Sequence, residues 1–341
     1  MGSKPDQMSL KLTVRNRAVL QVAMAFVFLI IPLTGWEVVS ARENIPVHSS
    51  TNGLQGCDTL RCGSFSVLTY NIAGLPEIIS SAKTKRASSI ARIGRLINQF
   101  DVVNVQEDFN YNKYLYHSGN SHSFRTKTKG KVPFGDGLNT LSHYPVHQTV
   151  RIPWSHCTGA DCLTPKGFTY SRLQIAKDQF IDLYNVHTNA YNHPSAAAAR
   201  RENIRQLSAF IEKKSANQAV IIMGDLNAHY DFHLDNLPEL LSKNNLKDAW
   251  LELGRQKLPV VTTRLPDDRI LQVNNQTESI DKILYRSNDQ VKLLVSDYQV
   301  QHQLFKNESD IPLSDHHPVG IVFSWQLLGS SAYENGLTAL K

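Results

Sequence analysis

Short apolar runs of strand character alternate with two long stretches of helical period, and most of the runs end in polar residues. Phe65–Tyr70 (FSVLTY) reads as a strand that reaches Asn71 just before Gly74 and Pro76. Between Ala82 and Phe100, Ile90, Ile93, Ile97 and Phe100 fall at helical spacing with Lys and Arg between them. Val102–Val105 is strand-like again and stops at Gln106-Glu107-Asp108. The middle of the chain alternates strands and turns. Phe168–Ile175 and Gln179–Val186 form a hairpin pattern whose second arm ends at His187-Thr188-Asn189. Ser195–Lys214 is an alanine-rich amphipathic helix with Ile204, Leu207 and Ile211 on one face.

The chain is organised around Ala219–Tyr230 (AVIIMGDLNAHY). Val220–Met223 is a continuous apolar run, the pattern of a strand buried on both faces. Gly224 breaks it, and Asp225 and Asn227 follow at period-two spacing, so both side chains can leave the strand end on one side. Downstream, a short helix is expected within Asn245–Leu253, and 254–278 is loop-rich. Ser279–Tyr285 is a strand carrying Asp281, Val291–Val300 is another, and Ser314-Asp315-His316-His317-Pro318 opens the last strand, Val319–Trp325. Two strand-helix-strand halves with strands in excess predict two packed mixed β-sheets with helices outside them. Ligands collect at strand ends in such α/β architectures.

The N-terminus reads as a targeting segment. Lys11, Arg15 and Arg17 precede the apolar stretch Ala18–Trp36, and Val39-Ser40-Ala41 fits a small-residue cleavage site. A signal peptide over residues 1–41 and secretion are expected, with an anchor retained through 18–36 as the alternative. Residues 42–62 then form a linker or cap, 63–327 the folded domain and 328–341 a flexible tail. Cys57/Cys62 and Cys157/Cys162 share C-x4-C spacing, suited to two small disulfide loops in an oxidising compartment. Four cysteines can bind zinc, but the two-residue knuckle spacing is missing. Asn275 and Asn307 begin glycosylation acceptor sequences. The 341 residues carry a formal net charge of +6, which suits an anionic partner without choosing among nucleic acid, headgroup and membrane surface.

Six strand ends carry polar groups: Asn71, Glu107, His187, Asp225 with Asn227, Asp281, and Asp315 with His316. Taken singly, a carboxylate at a strand end caps a turn or pairs with a buried cation. In the order LTYNI, VQE, NVHTNA, GDLNA, SIDKILY and SDHHP, they resemble the endonuclease/exonuclease/phosphatase superfamily, the metal-dependent phosphoesterases typified by pancreatic deoxyribonuclease. The resemblance covers about 63–327 and implies a four-layer α/β sandwich, deoxyribonuclease I-like, with a divalent ion at the cleft. Mg²⁺ is the first choice, with Mn²⁺ or Ca²⁺ as alternatives. Glu107, Asn71 and Asp315 are the implied metal residues, their oxygens suiting a hard cation better than zinc. His316 is the implied general base with Asp281 holding its ring, Asp225 orients the water or the base, Asn227 donates to phosphoryl oxygens, and His187 contacts the phosphate or protonates the leaving oxygen.

Two further stretches, GDGLNTLSHYP and Asp161–Phe168, resemble the neutral sphingomyelinase branch. They imply that Lys166 meets a headgroup phosphate with Asp161 as its switch partner, beside Asn189 as a further phosphate contact. A contiguous Trp/Phe-rich hairpin for bilayer insertion is missing; Phe134, Trp154 and Phe168 are scattered. The reading that results is a secreted, monomeric phospholipase C-type phosphodiesterase acting on a sphingolipid or related headgroup, with peripheral membrane contact. The alternatives are a deoxyribonuclease-like nuclease, an inositol-phosphate phosphatase, and a catalytically silent binding protein on the same scaffold. In the nuclease reading, Lys83, Lys85, Arg86, Arg92 and Arg95, and Arg125, Lys127, Lys129 and Lys131, track a phosphate backbone.

Overall fold

A computed structural model of the chain describes residues 61–254, 257–266 and 270–328. The expected signal segment, the linker up to residue 60 with Cys57 of the expected Cys57–Cys62 pair, and the tail from Gly329 lie outside these residues. The first sheet contains β1 (Cys62–Asn71), β2 (Val102–Gln106), β3 (Phe124–Arg125), β4 (Asn139–Ser142), β11 (Val291–Val300) and β12 (Val319–Leu327), in the order β11-β12-β1-β2-β4-β3. The second contains β5 (Val146–Pro153), β6 (Gly167–Ala176), β7 (Gln179–His187), β8 (Val220–Asp225), β9 (Lys247–Asp248) and β10 (Asp281–Arg286), in the order β5-β6-β7-β8-β10-β9. In each sheet one central pair is parallel, β1 with β2 and β7 with β8, and the remaining pairs are antiparallel.

Period-two patterning builds the layers. Phe65, Val67 and Val102 meet Leu183, Ile221, Met223 and Ile283 in a core between the sheets. The alternate residues Leu68, Tyr70, Val103 and Val105 face outward onto Ile90, Ile93 and Ile97, carried by α1 (Arg86–Leu96) and the turn that follows it. On the other side, Val220, Ile222 and Leu284 pack against Ile204, Leu207 and Ile211 of α3 (Pro194–Lys214) and Leu237 and Leu240 of α4 (Leu237–Asn244). Each such side chain removed from water contributes ~1.5–3 kcal/mol. The result is the expected four-layer sandwich of two packed mixed sheets flanked by helices. Toward one end the sheet interface turns polar. Asn104 Nδ2 donates to Tyr184 O (3.0 Å), Gln106 Nε2 to Asn185 Oδ1 (2.8 Å), and Asn185 Nδ2 to the carbonyls of Val105 and Asn139 (both 3.0 Å).

Several elements depart from expectation for local reasons. The first helix starts at Arg86 rather than Ala82, because Lys85 is extended. The expected helix in 245–253 begins only at Ala249, as α5 (Ala249–Gly254), since Lys247 and Asp248 pair with β10 instead. The helices α2 (Asn112–His117) and α4 add to the expected elements. The signals for α4 were present: Pro238 in its first turn, Leu237 and Leu240 one turn apart, and Asn245 left-handed at its end. Nor does Gly224 break β8. A Cβ there would lie 2.0 Å from Val186 O, so the glycine lets β8 close on β7 and carry the strand through to Asp225.

Candidate active site

The two parallel pairs bring four strand ends to the same edge of the sandwich. Asn71 ends β1, Glu107 follows β2, His187 ends β7 and Asp225 ends β8. The antiparallel strands β10 and β12 start there, supplying Asp281 and the Asp315-His316 segment. His187 and Asp281 flank Asp225 in register on either side.

Asp225 is the hub. Its Oδ2 lies 3.2 Å from Asn71 Nδ2, 3.4 Å from His187 Nε2 and 3.7 Å from His316 Nε2, while Oδ1 accepts the Asn227 N–H at 3.0 Å. His316 Nδ1 is 2.8 Å from Asp281 Oδ2. Burial works against charge on His316, but Asp281, Asp225 and Asp315 outweigh it and push its pKa up to about 10. His187 goes the other way. Burial, with Lys166 and His316 nearby, keeps it neutral. Burial and the Asp281 carboxylate raise Asp225 to about 6 against the pull of His316.

Glu107 sits in left-handed backbone (φ 58°) and accepts from Asn71 Nδ2 at 3.1 Å. Burial and the negative charge of Asp315 push its pKa up to about 7. A buried carboxylate made costlier to ionise by a second one beside it is what a divalent cation relieves, and an all-oxygen pair suits Mg²⁺. Glu107 and Asp315 therefore fit a metal. Asn71 departs from its expected part. Its Oδ1 accepts the Ala73 N–H (3.1 Å), so the amide turns N–H rather than oxygen toward Glu107 and Asp225. As placed, it clamps the two carboxylates. Asp225, Asp281 and His316 also bring ligand atoms within 4.8 Å of one another, but the imidazole nitrogen facing Asp281 is already bonded.

The cleft above these groups holds about 630 Å³. Lys166 and Asp161 form its wall, with Nζ 2.9 Å from Asp161 Oδ1 and 3.5 Å from Thr188 O; Asp161 Oδ2 accepts the Ala190 N–H at 2.5 Å. The Cys157–Cys162 disulfide is formed and closes the loop that presents Asp161. Asn227 reaches the cleft, with its Nδ2 3.4 Å from Thr188 O. Asn189 does not. Its Oδ1 accepts the Thr158 N–H (2.9 Å) and its Nδ2 donates to Ala190 O (2.9 Å), so the side chain anchors the disulfide loop rather than a phosphate.

Tyr191 and His229 also line the cleft, whereas His317 Nε2 donates to Leu271 O (3.1 Å) outside it. Asp108 is buried behind Glu107, bonded to Tyr116, Asn112 and Asn139. The proposed basic track loses two members. Arg92 pairs with Glu308, and Arg86 is fully buried. Arg86 donates to the carbonyls of Ile72 (2.8 Å), Ala73 (2.9 Å) and Leu313 (2.9 Å), tying the loop after Asn71 to the segment before Asp315. Its supporting role had no separate sequence signal, since it sits among surface-like Lys and Arg.

Fold and site together define a deoxyribonuclease I-like sandwich with a carboxylate- and histidine-lined cleft. The profile described as Endonuclease/Exonuclease/phosphatase family matches residues 68–316, and the chain belongs to that family. A Mycobacterium tuberculosis protein described as a sphingomyelinase is 38% identical over 271 residues, covering 77% of this chain and 53% of the relative. The chain thus spans about half the length of that relative. Beta toxin of Staphylococcus aureus, a mutant solved with bound magnesium ions, shares the fold with a TM-score of 0.55 and 17% identity over 76% of this chain and 99% of the toxin. TDP2 of D. rerio, complexed with a single-strand DNA product, also gives a TM-score of 0.55, at 17% identity over 76% of this chain and 98% of its own.

Proposed function

We propose that this chain is a divalent-metal-dependent phosphodiesterase of the phospholipase C type, cleaving a choline sphingolipid between phosphorus and the lipid oxygen. The observation that carries the chemistry is the Asp281–His316–Asp225 array beside Glu107 and Asp315. The relative described as a sphingomyelinase and the Lys166–Asp161 pair in the cleft wall support the lipid substrate. The nuclease alternative, to which the likeness to TDP2 speaks only through the fold, loses Arg86 and Arg92 from its backbone track.

Glu107 and Asp315 would hold a divalent ion, probed first as Mg²⁺, which when bound neutralises a phosphate oxygen and part of the negative field around His316. With part of that negative field removed, the neutral form of His316, oriented by Asp281 at Nδ1, would take at Nε2 the proton of the water that attacks phosphorus. Asp225 fixes the imidazole from its other side. Asn227 and neutral His187 offer uncharged donors to the phosphoryl oxygens, and the Lys166 ammonium exchanges its Asp161 partner for a phosphate oxygen. Residues 1–41 would carry the protein across a membrane, and the Cys157–Cys162 bond suits an oxidising compartment.

The test is Mg²⁺-dependent hydrolysis by the purified protein on sphingomyelin–phospholipid vesicles and on plasmid DNA, with His316→Ala as control. Phosphocholine release without nicking, lost in the variant, is expected. Nicking without lipid turnover would replace the lipid reading with the nuclease.

A further inference from the structure

Separate loops bring apolar side chains out around the mouth of the cleft. Ile79, Leu163 and Tyr191 line the opening and are 58%, 69% and 58% exposed. Ile78, next to Ile79, is 93% exposed, and Phe134, two residues beyond cleft-lining Val132, is 77% exposed. A single exposed apolar residue is ordinary. Such residues on four loops around one opening form a patch, and patches of this kind mark interaction surfaces. In sequence these positions lie far apart; the fold gathers them.

The flanks of the patch are cationic. Exposed Lys127, Lys129 and Lys131 lead into Phe134, and exposed Lys83 and Lys85 follow Ile79. Across residues 75–85, 127–135, 157–165 and 190–195, Glu77 is the one exposed acid, because Asp161 is buried against Lys166. Apolar tips with lysines beside them match the layered chemistry of a bilayer surface, acyl boundary below and anionic groups above. A body that covers this rim also closes the cleft to everything except what it delivers, so the rim and the substrate share a source.

We propose that this rim docks the protein on a bilayer carrying anionic lipid, with Ile78 and Phe134 entering the interface and the lysines lying on the headgroups. The proposal rests on the lipid phosphodiesterase reading of the cleft, and it needs no contiguous aromatic hairpin.

The experiment labels the full chain with an environment-sensitive fluorophore at Phe134→Cys, and in a second sample at Lys177→Cys. Lys177 is exposed in the β6–β7 turn, at the strand ends opposite His187, and none of the cysteines among the described residues is free to compete for the dye. Vesicles of phosphatidylethanolamine and phosphatidylserine, free of choline lipid, should shift the Phe134→Cys signal to the blue and leave Lys177→Cys unchanged. High salt and Lys129→Glu with Lys131→Glu should weaken the response. Because the dye reads the rim, binding through residues 18–36 cannot imitate the result. The unlabelled Ile78→Asp/Phe134→Asp variant should lose about tenfold in hydrolysis of choline-lipid vesicles while staying within about twofold on a dispersed short-chain phosphocholine ester. A silent Phe134→Cys label, or equal shifts at both labels, overturns the docking surface even if lipid is hydrolysed. A rim response without phosphocholine release from any substrate leaves docking standing and removes the lipid hydrolase reading.

Discussion

Asp225 on β8 and Asp281 on β10 are direct partners across an antiparallel pair, and both carboxylates reach the same imidazole. His316 therefore has Asp281 at its Nδ1 and Asp225 facing its Nε2. Two anions around one ring explain why it holds a proton despite burial.

Its pKa of about 10 in the folded, metal-free chain, against 6.5 when unfolded, means that protonated His316 stabilises the fold. That contribution is complete below about pH 6.5 and is lost as pH rises through about 10. Asp281→Asn should lower the imidazole pKa by a unit or more, roughly the effect of removing one adjacent charge. The check is an NMR titration of the His316 ring protons. A wild-type value near 6.5 would remove the two-carboxylate account.

Glu107 gives a second signature, at lower pH and dependent on metal. Its pKa is raised from 4.5 to about 7, so its ionised form is less welcome in the fold than in the unfolded chain. Its contribution to stability is intact below about pH 4.5 and lost as pH rises through about 7. Thermal melts without metal should decline over that window, and Mg²⁺ should restore the loss. Glu107→Gln should flatten its share of the decline and abolish most of the Mg²⁺ stabilisation; an unchanged Mg²⁺ response would exclude Glu107 as a ligand.

Lys166 and Asp161 separate structure from chemistry through a double variant. Lys166→Ala leaves a buried carboxylate without its cation and should cost about 3–5 kcal/mol in stability. Adding Asp161→Ala should return most of that stability in denaturant unfolding. Vesicle hydrolysis should stay low in both. Recovery of turnover with stability would make the pair purely structural.

Arg86 should behave as a support for both site loops. Arg86→Met orphans carbonyls at Ile72, Ala73 and Leu313 and should destabilise the protein by at least about 3 kcal/mol. At temperatures where the variant stays folded, its hydrolysis rate should fall further than its substrate KM rises, since the loops it ties carry Asn71 and Asp315. Full kcat in a folded variant would disconnect it from the site.

The strand ends are the part of this molecule most legible from sequence. Val220–Met223 followed by Asp225, and Val102–Val105 followed by Glu107, announce themselves because an apolar strand buried on both faces leaves its polar residues nowhere but the end. Asn189 misleads for the same reason: it follows His187 at a strand end, yet its amide is taken up by Thr158 and Ala190, residues whose proximity no local pattern encodes. Arg86 shows the reverse. A cation among surface-like neighbours goes to the interior because three distant carbonyls converge there. The rim residues Ile78 and Phe134 belong to the same class, meaningful only once the fold has placed their loops around one opening.

The Asn104–Gln106–Asn185 hydrogen bonds between the sheets bear directly on precision at the site. Asn71, Glu107 and His316 ride on one sheet; His187, Asp225 and Asp281 ride on the other. Two pairings at the site, His316 with Asp281 and Asn71 with Asp225, thus span two slabs that an oily interface alone would let slip by fractions of an ångström at little cost. Dry amides just beneath the cleft act as dowel pins: any slip strands donors and acceptors where no water can reach them. The alignment of the reacting groups is thereby set by side chains that never meet the substrate.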